Sequence, residues 1–317
     1  MSKEFTHLSL ASAYSFKYGA AHPEQLVERA AKFNMKALAL TDQNNLAGAI
    51  RFAQSCESYG IKPILGINLS FIQKTSKITL LARGGSLSSL YRLVTAINTN
   101  TSDGVLTIDL LERFNQYSSD LIALLGPQSG LNKNLSDRKE AAALSNYQLT
   151  KEHFSKVVIE CVSHLERVGN LRSTTAAGRS LAFAIKNQIP AVITNQVRML
   201  EKSDGPVVDV LDANRKLSFI TSAIIERSNG EAYLKDSQDM AHLADQVARA
   251  AGEVSCRSLL KTTADIAAEC ELSTQGEIGL GGIHLPEPAL FGATTQDQLV
   301  TQLRDKTVSK INYYYQS

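Results

Sequence analysis

The four cysteines of this chain, Cys56, Cys161, Cys256 and Cys270, include no C-x-x-C pair, so the sequence offers no structural zinc knuckle. They read instead as unpaired thiols of a reducing compartment. No apolar run approaches the roughly 18 residues of a membrane span, and the N-terminus MSKEFTHLSL lacks the basic stretch and apolar core of a signal peptide. The expected location is the cytoplasm. Charge of one sign is also missing. A net charge of +2 advertises neither nucleic acid nor membrane as a partner, although it does not exclude a local basic face. The short glycine runs at 84–85 and 279–282 do not match a P-loop, and no serine stands in a G-x-S-x-G elbow.

What is present is an ordinary globular composition, 44% hydrophobic and 20% charged. Over the first two hundred residues, short apolar runs alternate with helix-like stretches. Residues 5–10, 37–40, 63–69, 78–82, 121–125, 157–160 and 190–194 are strand candidates. Proline after His22 marks a helix start, and Leu26, Val27, Ala30 and Ala31 follow at helical spacing. Leu46, Ala49, Ile50 and Ala53 mark the next helix, and residues 174–187 another. Strand–helix alternation with this many strands predicts a parallel α/β barrel, with its chemistry at the carboxyl ends of the strands. Beyond residue 200 the texture turns helical, at 205–217, 237–251 and 258–271. A polar, glycine-containing stretch at 273–282 reads as a linker, the prolines at 286 and 288 exclude regular helix there, and 296–310 could form one more helix. The Tyr313–Tyr315 run reads as the start of a packed element.

A resemblance adds to this. Residues 5–71 are similar throughout to the start of bacterial C-family (alpha-type) DNA polymerases, and further matches follow in order. These are LLAR at 80–83, DLIALLG at 120–126, IPAVITNQVRML at 189–200, GPVVDVLDANRKL at 205–217 and EAYLKDSQDMA at 231–241. The chain looks closest to the actinobacterial error-prone type. The resemblance implies a PHP domain, a distorted TIM-like (βα)7 barrel, over residues 1–200. It further implies helices completing that region at 201–272, and a linker with the truncated start of a polymerase palm at 273–317.

In family members that keep a metal cluster, His, Asp, Glu and Cys hold ions for phosphodiester hydrolysis, as the chemistry of divalent metals requires. Carried over motif by motif, those positions fall here on Ser9, Ala11, Tyr18, Gln43, Asn68, Lys77, Pro127, Gln196 and Arg198. Alanine and proline offer no donor, lysine and arginine repel a cation, and neutral amides bind metals weakly. The implied site is therefore degenerate, with no metal or other cofactor expected. His7, Asp42, Glu160 and His164 are retained and read as hydrogen-bonded residues at strand ends. Arg198, with Lys77, is expected to replace the lost positive charge beside Asp42 and Glu160. The polymerase carboxylates would lie in the palm, outside this sequence, so the chain alone is expected to be non-catalytic. The implied function is a structural platform for DNA synthesis and repair by a parent polymerase. Its partners would be palm, thumb and other replication or repair proteins, and it would meet DNA only through the polymerase. A stand-alone metal-dependent phosphoesterase or 3′–5′ exonuclease is the enzymatic alternative, and a sequence-independent DNA-binding module is a third.

Overall fold

A computed structural model describes residues 4–101, 104–221, 229–282 and 288–315. The strands are β1 (Ala37–Leu40), β2 (Lys62–Phe71), β3 (Gln73–Ala82), β4 (Val105–Leu106), β5 (Leu121–Leu125), β6 (Lys156–Val162) and β7 (Ala191–Thr194). They form one sheet in the order β1-β2-β3-β5-β6-β7, with β4 against β2. Continuous apolar runs such as Ala37–Leu40 and Leu121–Leu125 are buried at every position, as strands covered on both faces must be.

The sheet is mixed rather than wholly parallel, because β3 runs antiparallel to both β2 and β5. The cause is local. Only Ile72, in the left-handed region at φ 62°, separates β2 from β3. A parallel return would need a crossover of a dozen residues or so.

The segment read as a first strand, residues 5–10, is extended but pairs irregularly, and it closes the barrel. On one side the amides of Ala39 and Thr41 donate to the carbonyls of His7 and Leu10, at 3.0 and 2.8 Å. On the other, Val197 N donates to Ser9 O and Ala11 N to Val197 O, at 3.0 and 2.9 Å. Leu10 and Val197 thus join the two ends of the sheet in parallel.

Inside the ring, Leu8, Ala39, Ile64, Leu81, Ile122, Leu124, Val158 and Val192 form an apolar core. Outside it, helices pack their apolar stripes on the sheet. Pro23–Lys32 begins with proline at its first position and buries Leu26, Val27 and Ala30. Ala49–Tyr59 buries Ala49 and Ala53, but Ile50 points to solvent instead of into the stripe. Leu87–Asn100 and Glu140–Lys151 were not read from the sequence, whereas Thr174–Lys186 matches its prediction, with Ser173 capping the amide of Ala176.

After β7 come the helices Gly205–Arg215, Ser237–Ala250 and Arg257–Cys270. The last of these plugs one end of the barrel. Its Ile266, Ala267 and Cys270 join the interior core. Leu272 N bonds the carbonyl of Pro63 at the start of β2, Lys156 at the start of β6 pairs with Glu269, and Thr263 Oγ1 accepts from Ile193 N. The contacts at Pro63 and Lys156 are at the amino ends of parallel strands, so the opposite, carboxyl end is left for a site.

The chain divides into two compact units, residues 1–278 and 279–317. The second holds the helix Gln296–Tyr315, and its Leu290 and Phe291 are exposed. Tyr313 and Tyr314 are likewise exposed, with their rings 5.0 Å apart edge to face. Residues 283–287, where the sequence predicts non-helical chain before Pro288, lie outside the described residues. Among the described residues no helix is long and apolar enough to cross a membrane.

Candidate site at the carboxyl end of the barrel

The strand ends bring the sequence-selected residues together. Ser9, Ala11, Tyr18, Gln43, Asn68 and Gln196 line one small cavity of about 20 Å³ at the barrel mouth. Tyr18 and Gln43 also border a second cavity of about 970 Å³, together with Lys77, His164 and Arg198. Pro127 is buried just after β5 and borders neither cavity.

The retained carboxylates lie behind these walls, each with its oxygens already engaged. Asp42 follows β1. Its Oδ1 accepts from Ser12 N at 2.7 Å and Ser15 Oγ at 2.6 Å, and its Oδ2 from Ser12 Oγ at 2.8 Å. Glu160, on β6, accepts from Thr194 Oγ1 at 2.6 Å and Gln196 Nε2 at 3.1 Å, with Ser9 as a further donor. Burial raises the pKa of both above the ordinary carboxylate value, and the hydrogen bonds only partly oppose it. Gly126, at the end of β5, makes room for the second group: a Cβ there would stand 2.0 Å from Glu160 Oε2. Gln196 reaches Glu160 from a left-handed backbone at φ 40°, a conformation uncommon outside glycine.

The two histidines are engaged by main chain. His7 Nε2 meets the carbonyl of Lys235 at 2.9 Å, and His164 Nε2 that of Asn195 at 2.8 Å. A carbonyl only accepts, so each ring donates from Nε2. Burial pushes His7 down to about 4 and His164 to about 3, which makes both neutral near pH 7.

Arg198 does not pair with Asp42 or Glu160, contrary to the sequence expectation. Its Nη2 and Nη1 bond Asp212 Oδ1 and Oδ2 at 2.8 and 3.1 Å, a two-pronged pair with Asp212 on the helix Gly205–Arg215. The guanidinium also stacks on Tyr18 at 3.9 Å and donates to the Tyr18 carbonyl from Nε and Nη2. The physical reason is saturation: Asp42 and Glu160 already have their donors, whereas Asp212 at the mouth, with Arg215 on Oδ1, still offers Oδ2 and a shared Oδ1 to Arg198. Burial by itself would raise Asp212, but the Arg198 hydrogen bonds and the charges of Arg198 and Arg215 hold it below its ordinary value. Lys77 likewise meets no acid among the described residues. Its Nζ donates to Ser70 Oγ at 3.2 Å, and burial, reinforced by the Arg215 charge, lowers its pKa.

Sequence reasoning missed Asp212, Arg215, Arg172 and Gln128 as parts of this mouth. Asp212 and Arg215 do fall inside the matched stretch 205–217, which was the available signal.

A metal cluster does not fit the residues present. The small cavity has room for about one water. Its walls supply hydroxyl, amide and methyl groups in place of carboxylate and imidazole. Among the described residues no three His, Cys, Asp or Glu side chains are placed to share an ion.

A family profile for the PHP domain matches residues 7–164. The DNA polymerase III subunit alpha of Buchnera aphidicola is 29% identical over 262 residues, spanning 78% of this chain and 22% of that protein. The error-prone DNA polymerase of Symbiobacterium thermophilum is 29% identical over 259 residues, 74% of this chain and 23% of that protein. Among solved structures, a two-domain Bacteroides vulgatus protein containing a PHP-like metal-dependent phosphoesterase superposes with a TM-score of 0.43. It shares 13% identity and covers 62% of this chain and 52% of that one. The chain therefore spans between a fifth and a quarter of the length of the polymerases it matches.

Proposed function

With residues 7–164 established as a PHP domain, homologous to the N-terminal region of DNA polymerase III alpha subunits and error-prone DNA polymerases, we propose that this chain is a non-hydrolytic PHP module serving as a structural platform for a polymerase. In this reading residues 1–200 are the barrel core, 201–272 complete it, and 273–317 lead toward a palm. The partners are palm, thumb and other replication or repair proteins, DNA is met through the polymerase, and the setting is cytoplasmic. The parent activity is DNA-templated DNA synthesis, including error-prone synthesis, and the catalytic carboxylates lie outside this chain.

One observation carries the reading: the donor set at the barrel mouth. The positions that would face a metal are Ser9, Ala11, Gln43, Asn68 and Gln196 around a cavity of about 20 Å³. The nearby acids and imidazoles are committed to serine, threonine, glutamine and backbone partners. A ligand that does not bind the native state cannot stabilise it. Calorimetric melts with excess manganese or zinc, and with chelator, should therefore share one Tm. Elemental analysis should find no stoichiometric ion, and a labelled primer should not shorten in the presence of metal. A tightly bound ion, or primer hydrolysis abolished by Asp42→Ala, would overturn the reading in favour of a phosphoesterase.

A further inference from the structure

The larger cavity has no task in a structural platform. Its volume of about 970 Å³ lies at the upper end of the range of small-molecule sites. Among the described residues, six cationic side chains line it, Lys77, Arg167, Arg172, Arg198, Arg215 and Lys216, against two acids, Glu166 and Asp212. The whole chain carries only +2, so this is a local concentration of charge. Asp212 is shared between Arg198 and Arg215, which fixes both guanidiniums. Lys77 and Arg172 are different. Both are half-buried, and among the described residues their hydrogen bonds go to neutral oxygens: Lys77 donates to Ser70 Oγ, and Arg172 Nε donates to Gln196 Oε1 at 3.3 Å. Glu160 feels the Arg172 charge, but Gln196 stands as the bonded link between them. Arg167 is exposed at the rim, and Gln43 and Gln128 also line the cavity.

These cations converge from four directions: β3, the segment after β6, the segment after β7, and the end of the helix Gly205–Arg215. Guanidinium forks match phosphate oxygens two at a time, and an ammonium adds a point charge. A nucleic-acid strand spreads its charges along its length. Convergence on one cavity suits instead a compact group with several charges. The geometry points to a metal-independent anion site at the barrel mouth that takes a di- or triphosphate group, held by Lys77 and Arg172 with Arg167 at the rim. The site rests on the reading that no metal sits at this mouth, and it adds a ligand to that platform. The phosphates could come from free pyrophosphate or from a nucleotide tail.

The test is titration calorimetry of the whole chain with inorganic pyrophosphate and with a nucleoside triphosphate, in EDTA and then in manganese. Saturable binding in EDTA is expected. It should weaken with salt, and it should fall by about tenfold or more in Lys77→Ala/Arg172→Ala, with the unphosphorylated nucleoside inert. Pyrophosphate binding as tightly as the triphosphate identifies the free anion as the ligand, and a tighter triphosphate identifies the nucleotide; either supports the site. Should the double variant fail to fold, Arg167→Glu on the exposed rim must weaken binding. Silence in both EDTA and manganese, or full affinity in the folded variants, overturns the site alone. Binding that requires manganese overturns both the site and the platform reading. A single-stranded oligothymidylate without terminal phosphates that competes as well as pyrophosphate would show a backbone site, and so refutes the polyphosphate assignment.

Discussion

Arg198→Ala removes a guanidinium that is 14% exposed and leaves Asp212, 16% exposed, with Arg215 as its remaining cation. Breaking one side of a buried pair costs about 3–5 kcal/mol, because the surviving charge stays desolvated. Arg215 still bonds Asp212 Oδ1 at 2.6 Å, but it is 41% exposed and offsets only part of the loss. The face-on contact with Tyr18 also goes, at about 0.5–1 kcal/mol. The expected destabilisation is about 2–4 kcal/mol, far outside the roughly 0.5 kcal/mol of an ordinary surface change. Urea denaturation of Arg198→Ala, Asp212→Asn and the double variant should show a coupling of about 1 kcal/mol or more. The parallel cycle with Asp42→Asn should be additive within about 0.5 kcal/mol, since Ser12 and Ser15 hold Asp42. Asp212 has a folded pKa below its ordinary value, so its contribution is full above the usual carboxylate range and is lost as pH falls through the lower folded value. Arg198→Ala should flatten that acid limb. Additivity in the Asp212 cycle, or coupling in the Asp42 cycle, would refute the pairing described here.

Gly126→Ala should cost about 1–3 kcal/mol in thermal or urea unfolding, because its methyl would meet Glu160 Oε2 at 2.0 Å and Gln196 Nε2 at 2.9 Å; wild-type stability would show that the mouth is looser than this. Glu160 has the opposite sign to Asp212. Its folded pKa is raised by burial, so its contribution is full below the unfolded value and is lost as pH rises through the folded one. Melting temperatures of Glu160→Gln and wild type should therefore shift in favour of the variant between acid and neutral pH, and a constant gap would contradict the burial argument.

Much of the barrel is legible in the sequence because its strands are short runs with no polar interruption. Ala37–Leu40 and Leu121–Leu125 could not be solvated on either face, and Pro23 fixed the start of the helix it opens. The direction of β3 was not legible. The reversal occurs at Ile72, a β-branched residue in a left-handed conformation, with none of the glycine or asparagine that usually marks such a turn. In the site, matched motifs located the residues that crowd the mouth. They did not give pairings, which depend on which donors arrive first in space. Ser12 and Ser15 lie far from Asp42 in sequence and close only once the segment after residue 11 folds across β1. Asp212 reaches Arg198 from the helix that follows the barrel, so no spacing within a strand–helix unit could announce it.

The joint between Leu10 and Val197 has a consequence for synthesis. Ribosomes release this chain from its amino end, yet residues 7–11 are the wedge that shuts the ring, and one of their two neighbours is translated last among the barrel segments. At about 5–20 residues per second the first segment waits on the order of ten seconds for that neighbour. During the wait residues 7–11, even once seated on β1, offer a raw edge, and so does each strand newly made beyond β5. Closure is then a long-range event whose loop entropy is met only at the end, so the nascent barrel passes through an open, sticky arc. A chaperone that shelters strand edges should matter more to the yield of this protein than to one whose sheet closes with neighbours in sequence.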